Sequence, residues 1–208
     1  MYIFAYNLIF IPPTQYIFMK TEKYVITGPP KSGKHELLER VSKKIKIYTM
    51  KNVVKALLEG DVGKKINPET KPYEFQKEAF RWEKEWSADF NSAKPITEGT
   101  GRYLMVCHYP DRMAWLEYKG FKDSELYREI EEESKKHEYE KVFMCENTSK
   151  TFEKISEIID KTYRRLGYEP IPVPNFFMIE SNASGSEKAE IREQNIEKRV
   201  ELILQYIK

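Results

Sequence analysis

The chain has 208 residues, 40% of them hydrophobic, so it is long enough to bury a substantial core and short enough to form one domain. Its 35 Lys and Arg residues nearly balance 33 Asp and Glu residues, and a net charge of +2 argues against binding to nucleic acid or to an anionic membrane through a strong overall field. Its two cysteines lack C-x-x-C spacing, which excludes a disulfide framework and a cysteine zinc site and fits a cytoplasmic protein.

The first 19 residues are apolar and aromatic, yet they do not have the pattern of a signal peptide or a membrane anchor. They lack a basic start and a small-residue cleavage site, and Pro12 and Pro13 interrupt the apolar run well before the roughly 20 residues that a spanning helix needs. We expect 1–20 to be an N-terminal extension, either packed on the surface or paired as an edge strand, ahead of one domain that covers 21–208. A start at Met19 would place the first strand at the head of that domain.

Apolar, β-branched runs alternate with segments of helical period along the rest of the chain. This alternation is typical of a parallel sheet with crossover helices. Strands are predicted at 23–27, 44–49, 102–107, 140–145 and 170–173. Helices are predicted at 35–43, 51–60, 72–86, 111–120, 123–137, 151–167 and 190–208, with a flexible turn at 181–187.

The segment TGPPKSGKH, residues 27–35, contains the G-x-x-x-x-G-K core of a phosphate-binding loop. A predicted strand precedes it and a predicted helix follows, which is the context that the motif requires. In such a loop the backbone amides wrap the phosphates, while the lysine and the start of the helix supply positive potential. The predicted nucleotide-binding residues are Gly28, Pro29, Pro30, Lys31, Ser32, Gly33, Lys34 and His35.

His35 stands where this loop normally has a Ser or Thr hydroxyl that ligates Mg²⁺. Mg²⁺ is a hard cation that prefers oxygen, whereas imidazole is a softer and bulkier ligand. A metal at this site must therefore be held by water, by another oxygen, or poorly, and the sequence does not identify its ligands.

Asp111 follows the third predicted strand, at the carboxyl edge where open α/β sheets bind ligands. Two compatible roles suit it: orienting an acceptor hydroxyl or a metal-bound water, and capping the next helix as its N-cap residue. The neighbouring His108 suits an acid–base or metal role, or a turn without chemistry. His137 is predicted to lie on the surface.

Cys107 and Cys145 each end a strand that flanks the first strand. They are therefore expected about 9–10 Å apart, beyond the roughly 7 Å that a disulfide can bridge, and are predicted to be small buried apolar residues. Trp82 and Trp86 fall at helical spacing and are predicted to belong to the core. Trp115 suits either the core or the cover of an acceptor pocket.

Five further landmarks follow the loop in order: YEFQKEAFRWEKEW, YPDRMAWLEY, YEKVFMCE, YRRLGYEPIPVP and IEKRVELIL. From Lys23 onward the chain thereby resembles the P-loop AAA-type ATPase and kinase family that includes nicotinamide riboside kinase domains. The resemblance implies a three-layer α/β P-loop NTPase with a five-stranded parallel sheet, order 2-3-1-4-5, and kinase-like architecture. It also implies ATP or GTP with Mg²⁺ as cofactors, and it supports Lys34 and Asp111 as catalytic candidates.

Three parts of the family's pattern differ. No acid follows the second strand, Cys107 and His108 replace an Asp-Arg pair, and the segment after Glu146 offers Lys150 and Lys154 in place of lid arginines.

Two hypotheses follow: a phosphotransferase that moves a γ-phosphoryl group to a small hydroxylated acceptor such as a nucleoside, or a catalytically degenerate nucleotide-binding switch or regulatory module. A polynucleotide kinase lacks support from the net charge. The expected partners are a nucleotide and a small-molecule acceptor.

Overall fold

The computed structural model describes residues 21–50, 52–60, 65–91, 101–146, 149–176 and 184–207. The predicted N-terminal extension and residues 181–183 of the predicted turn at 181–187 lie outside these residues.

A five-stranded sheet forms the centre of the molecule. Its strands are β1 (Glu22–Thr27), β2 (Tyr48–Met50), β3 (Arg102–Val106), β4 (Lys141–Cys145) and β5 (Ile171–Val173). They lie in the order β2-β3-β1-β4-β5, and every pairing is parallel. The central strands read as nearly continuous apolar runs because both of their faces are covered.

Seven α-helices are described, and they cover both faces of the sheet. They are α1 (Lys34–Lys44), α2 (Val53–Glu59), α3 (Pro72–Asn91), α4 (Tyr109–Tyr118), α5 (Glu125–Ser134), α6 (Glu153–Arg165) and α7 (Gly185–Leu204). The structure therefore confirms the predicted fold class, a three-layer α/β arrangement around a five-stranded parallel sheet with strand order 2-3-1-4-5.

Alternate residues of β1 point into two different cores, as the period of two requires. Tyr24 and Ile26 join the core beneath α1 and α7, while Val25 joins the core beneath α4 and α6. Two smaller clusters place α3 and α5 against the outer side of α4, and α2 against α3. Because β1 is central, the loop that follows it emerges between its neighbours β3 and β4.

Several predicted boundaries moved, and the cause of three of these shifts is clear. The strand predicted at 44–49 begins only at Tyr48, because α1 continues to Lys44 along the apolar face that carries Val41. Helix α4 begins at Tyr109, two residues earlier than predicted, since a capping box encloses its first turn. Helix α7 begins at Gly185, within the predicted turn, because Ser184 and Glu187 form another capping box.

None of the helices within the described ranges combines the length and the apolar character that crossing a membrane requires.

Candidate functional site

The segment 28–33, called the glycine loop below, connects β1 to α1 and has several unusual backbone angles. The φ angle is 134° at Gly28, 61° at Lys31 and 80° at Gly33, all in the range that favours glycine. The loop therefore has a definite shape that few sequences can adopt, and backbone strain of this kind is concentrated at functional sites.

Gly28 is required by space as well as by its backbone angle. A Cβ atom at this position would lie 2.5 Å from the backbone carbonyl oxygen of Cys145 at the end of β4. Backbone at the end of a central strand cannot move aside cheaply, so only glycine allows the loop to leave β1 this close to β4.

The Lys34 side chain folds back over the loop. Its ammonium group donates hydrogen bonds to the carbonyl oxygens of Gly28 (2.7 Å) and Pro29 (2.6 Å), with a longer contact of 3.3 Å to Ser32 Oγ. The residue is buried although it carries a charge. In this arrangement the loop carbonyls satisfy the lysine, and a phosphate oxygen would offer it a charged acceptor in their place.

Helix α1 begins at Lys34, directly after the left-handed Gly33. The first α-helical bond runs from the Leu37 amide to the Gly33 carbonyl at 3.1 Å. The amides of residues 34–36 precede that bond and have no intrahelical acceptor, which makes this end of the helix favourable for anions. The loop, the lysine and the helix terminus thus share one short segment, as the motif predicts.

His35 is exposed in the first turn of α1 and reaches the neighbouring Asn52. Its Nε2 lies 3.3 Å from Asn52 Nδ2, whose side-chain oxygen accepts from the Lys55 amide at the start of α2. Partial desolvation and the positive charges of Lys34 and Lys55 lower the pKa of His35, so the ring is neutral at pH 7. Within the described ranges, no group of three His, Cys, Asp or Glu residues is arranged to hold a metal ion.

Residue 35 and its neighbours do not provide the side-chain hydroxyl that usually binds Mg²⁺ in a loop of this kind. His35 supplies no oxygen, and the hydroxyl of Thr27, at the end of β1, donates to Asp111. Ser32 Oγ is the remaining side-chain hydroxyl of the loop, and it contacts Lys34.

Asp111 lies beside the start of the loop but is buried and fully engaged. Its Oδ1 accepts from the Thr27 hydroxyl at 2.5 Å, while Oδ2 accepts from the Tyr163 hydroxyl at 2.7 Å and from the His108 amide at 3.0 Å. The residue therefore caps α4, although not as its N-cap residue. That position belongs to His108, and Asp111 is the third helical residue of the capping box.

His108 and His137 lie in one buried polar cluster on the side of the sheet beneath α4. His108 Nδ1 is 2.5 Å from the Tyr139 hydroxyl, and His137 Nδ1 is 3.3 Å from Lys23 Nζ. Burial holds the pKa of His108 well below its usual value, and burial together with the Lys23 charge lowers that of His137. The prediction that His137 lies on the surface was wrong, because the chain reversal before β4 turns its ring inward against His108.

A cavity of about 20 Å³ adjoins this cluster, with Ser87, Met50 and Met105 among its lining residues. It has room for one water molecule and none for a nucleoside. His108 lines this cavity together with Lys23 and His137, and the residues that line it do not include those of the glycine loop.

The remaining predicted residues take the following places. Trp82 and Trp86 are partly buried against the cluster between α2 and α3, and Trp115 packs against Tyr118 beneath the sheet, with ring centroids 5.6 Å apart. Cys145 is buried, as predicted, whereas Cys107 is only partly buried and has a φ of 58°.

Two charged features escaped the sequence analysis. Arg112 and Glu83 form a buried ion pair at 3.2 Å, and Arg199 of α7 donates from Nη2 to the Ser32 carbonyl at 2.9 Å. Arginines inside otherwise amphipathic helices look like surface residues in a sequence. Arg199 lies three residues after Ile196 and four before Ile203, at a position where the helical repeat of the buried face calls for an apolar residue. That position is the signal in the sequence that could have identified Arg199 as buried.

Comparison with known proteins gives one informative result. No family model and no curated protein sequence matches the chain. Solved structures do match, among them the crystal structure of the NadR protein in complex with NR, with a TM-score of 0.68 and 7% sequence identity over 89% of this chain. The chain spans only half the length of that NadR chain. At this identity the likeness shows the fold alone.

Proposed function

We propose that this protein binds a purine nucleoside triphosphate, ATP or GTP, at the loop between β1 and α1. The observation that carries the proposal is the loop itself, in which two glycines with positive φ bring a buried lysine and the free amides of a helix terminus into one segment. The binding residues would be those predicted from the sequence, Gly28 to His35, with Lys34 as the principal charged contact.

Binding would exchange one set of hydrogen bonds for a stronger one. Lys34 gives up the carbonyls of Gly28 and Pro29 and donates instead to phosphate oxygens, so its positive charge faces a negatively charged acceptor rather than a neutral one. The amides of α1 face a charge that complements the helix dipole. The glycine positions keep side chains out of the space that the phosphates need.

The activity that we propose for the bound nucleotide is transfer of its γ-phosphoryl group to a small hydroxylated acceptor, with a nucleoside as the leading class. The kinase-like strand order supports it, and so does the position of Asp111 at the end of the sheet that carries the loop. In this proposal Lys34 stabilises the transferring group and Asp111 orients the acceptor. A cytoplasmic location remains the prediction from cysteine usage.

A second candidate, a nucleotide-binding switch without turnover, is favoured by specific contacts. His35 places an imidazole where the metal-binding hydroxyl would be, and the carboxylate oxygens of Asp111 already accept three hydrogen bonds. Freeing Asp111 for catalysis would cost those bonds. Such a protein would bind nucleotide and change its stability or its partners, without consuming the nucleotide.

A thermal-shift titration with ATP, GTP and ADP, each with and without Mg²⁺, tests the binding. At a ligand concentration of 100 times Kd, stabilisation of about 2.7 kcal/mol is expected, which raises Tm by several degrees in a domain of this size. Lys34→Ala should lose the shift. Lys43→Ala, at the other end of α1, should keep it, because it removes only an exposed pair with Glu39. A wild-type protein that no nucleotide stabilises would refute the proposal.

Turnover separates the two candidates. Incubation with Mg-ATP and a panel of nucleosides, followed by mass spectrometry, should yield a phosphorylated product that Lys34→Ala does not form. Binding without any product across the panel, and without ATP hydrolysis, would favour the switch. Brisk hydrolysis in the absence of an acceptor would contradict the switch.

A further inference from the structure

Arg199 connects the last helix of the chain to the glycine loop. Its Nη2 donates to the Ser32 carbonyl at 2.9 Å, and its Nη1 would lie 3.2 Å from a Cβ atom placed on Gly33. Only 4% of the residue is exposed. The guanidinium therefore packs directly behind the two residues that precede Lys34.

The charge of Arg199 has no acidic partner among the described residues. Its Nε is buried without a hydrogen-bond acceptor, and no ion pair joins the guanidinium to a described carboxylate. Buried charges in proteins are normally paired, because an unpaired one loses its hydration without compensation. The described carboxylates therefore leave this guanidinium without a counter-charge.

We propose that Arg199 is a positioning residue for the polyphosphate chain of the ligand. It holds the Ser32 carbonyl from behind, so that the peptides of Ser32 and Gly33 keep their orientation. It also supplies a fixed positive charge that bound phosphates neutralise across the loop. This inference rests on the proposed function, since it assigns the anion of that same site as the counter-charge of Arg199.

The way in which α7 is attached explains how this guanidinium is held in place. On the surface, Arg40 of α1 pairs with Glu193 at 2.7 Å, and Lys44 pairs with Glu197 at 2.5 Å. Beneath these pairs, Val200 and Ile203 are fully buried in the core beneath α1 and α7. Other residues of α7 thus attach this helix to α1 and to the core. The attachment of α7 does not depend on the contact between Arg199 and the loop.

Three variants distinguish positioning of the phosphates from simple support of the fold. Arg199→Met keeps the length of the side chain and removes its charge and donors. Arg199→Lys keeps the charge but loses the planar set of donors. Arg40→Met is the matched control, because it removes an arginine that links α1 to α7 without touching the loop.

The dissociation constant of inorganic tripolyphosphate, measured by calorimetry, is the readout, with ATP as a second ligand and the Tm of the free protein recorded alongside. Arg199→Met should weaken both ligands at least about tenfold, the scale of one charge-assisted hydrogen bond, and Arg199→Lys by less. Arg40→Met should lower Tm while its affinity stays at the wild-type value.

Affinity within about twofold of wild type in Arg199→Met would overturn the inference, whatever its Tm. If Arg199→Met does not fold, Arg199→Lys decides the question by the same criterion. A wild-type protein that binds neither tripolyphosphate nor ATP would instead overturn the proposed function, and this inference with it. Binding by wild type together with undiminished binding by the variants overturns the role of Arg199 alone.

Discussion

At the scale of single residues, position 35 is where this chain departs most from the chemistry of its loop. An exposed imidazole with a lowered pKa is a neutral ring that contacts Asn52, and it offers no hard oxygen to a metal. Whether nucleotide binding depends on Mg²⁺ should therefore be decided here.

Replacing His35 by Ser should make nucleotide binding more dependent on Mg²⁺. The serine returns a hydroxyl ligand, so the Tm shift with Mg-ATP should exceed that with metal-free ATP by more than it does in the wild type. His35→Asn is the matched control, because it keeps a polar side chain without a hydroxyl. Equal Mg²⁺ dependence in the two variants would show that the hydroxyl is not what the site lacks.

Gly28 should tolerate no side chain. In Gly28→Ala the Cβ atom would meet the Cys145 carbonyl at 2.5 Å, and alanine strongly disfavours a φ of 134°. We expect a loss of about 2–4 kcal/mol in the free energy of unfolding, the scale of a strained backbone combined with a steric clash, together with a loss of nucleotide binding. Urea denaturation measures the first effect. Gly167→Ala is a useful control, since its φ is also positive but nothing lies within 4 Å of the added atom.

At the scale of secondary-structure elements, Asp111 joins three parts of the chain. Its oxygens bind Thr27 at the end of β1, the turn before α4, and Tyr163 of α6. The carboxylate thus positions the edge of the sheet where the glycine loop begins. This structural role and the proposed catalytic one make different predictions.

Tyr163→Phe should cost about 1 kcal/mol of stability, since it removes one buried hydrogen bond, and Asp111→Asn should cost about 2–3 kcal/mol because several donors lose an acceptor. Urea denaturation of the two single variants and the double variant gives their coupling. Wild-type stability in Asp111→Asn would contradict the capping role. If Asp111→Asn still binds ATP but forms no phosphorylated product, that result would support the proposed catalytic role of Asp111 in addition to its capping role.

At the scale of the whole molecule, the buried pair of Glu83 and Arg112 couples folding to pH. Burial raises the pKa of Glu83 to about 7, the nearby Arg112 opposes that shift, and Asp111 adds to it. Glu83 Oε2 has no hydrogen-bond partner. The folded state therefore binds a proton at Glu83 more tightly than the unfolded state does.

The sign of this effect is definite. A group whose pKa is raised on folding contributes stability below its unfolded pKa, near 4.5, and loses that contribution as the pH rises through about 7. Glu83→Gln cannot ionise at this position. Relative to this variant, the free energy of unfolding of the wild type should fall by on the order of 3 kcal/mol as the pH rises from 4.5 to about 7. His108 acts in the opposite direction in both proteins, so it cancels in the difference.

Free energies of unfolding measured in urea between pH 4.5 and 8 test this prediction. Glu129→Gln serves as the control, because that carboxylate is exposed and pairs with Lys84 at the surface. A constant difference between wild type and Glu83→Gln over the whole range would show that Glu83 stays ionised in the folded protein.

Local features of the chain were predicted well because their causes are local. Strand β1, the glycine loop and α1 follow from an apolar run, two glycines and a helical repeat that lie within about twenty residues. The strand order came from the resemblance rather than from composition, and the structure confirms it. The start of β2 was misplaced because two local patterns overlap there. The apolar face of α1 and the short edge strand β2 compete for residues 44–47.

The sequence by itself determined the shape of the loop at which we propose that phosphates bind, because a glycine loop between a strand and a helix is specified by backbone conformations that only certain neighbouring residues allow. The tertiary structure alone decided which groups surround that loop. Asp111 reaches Thr27 across 84 positions and Arg199 reaches Ser32 across 167, and their partners depend on how distant elements pack rather than on any pattern near them. Burial, which turns these polar side chains into anchors of the site, is likewise a property of the folded molecule and not of any segment of it.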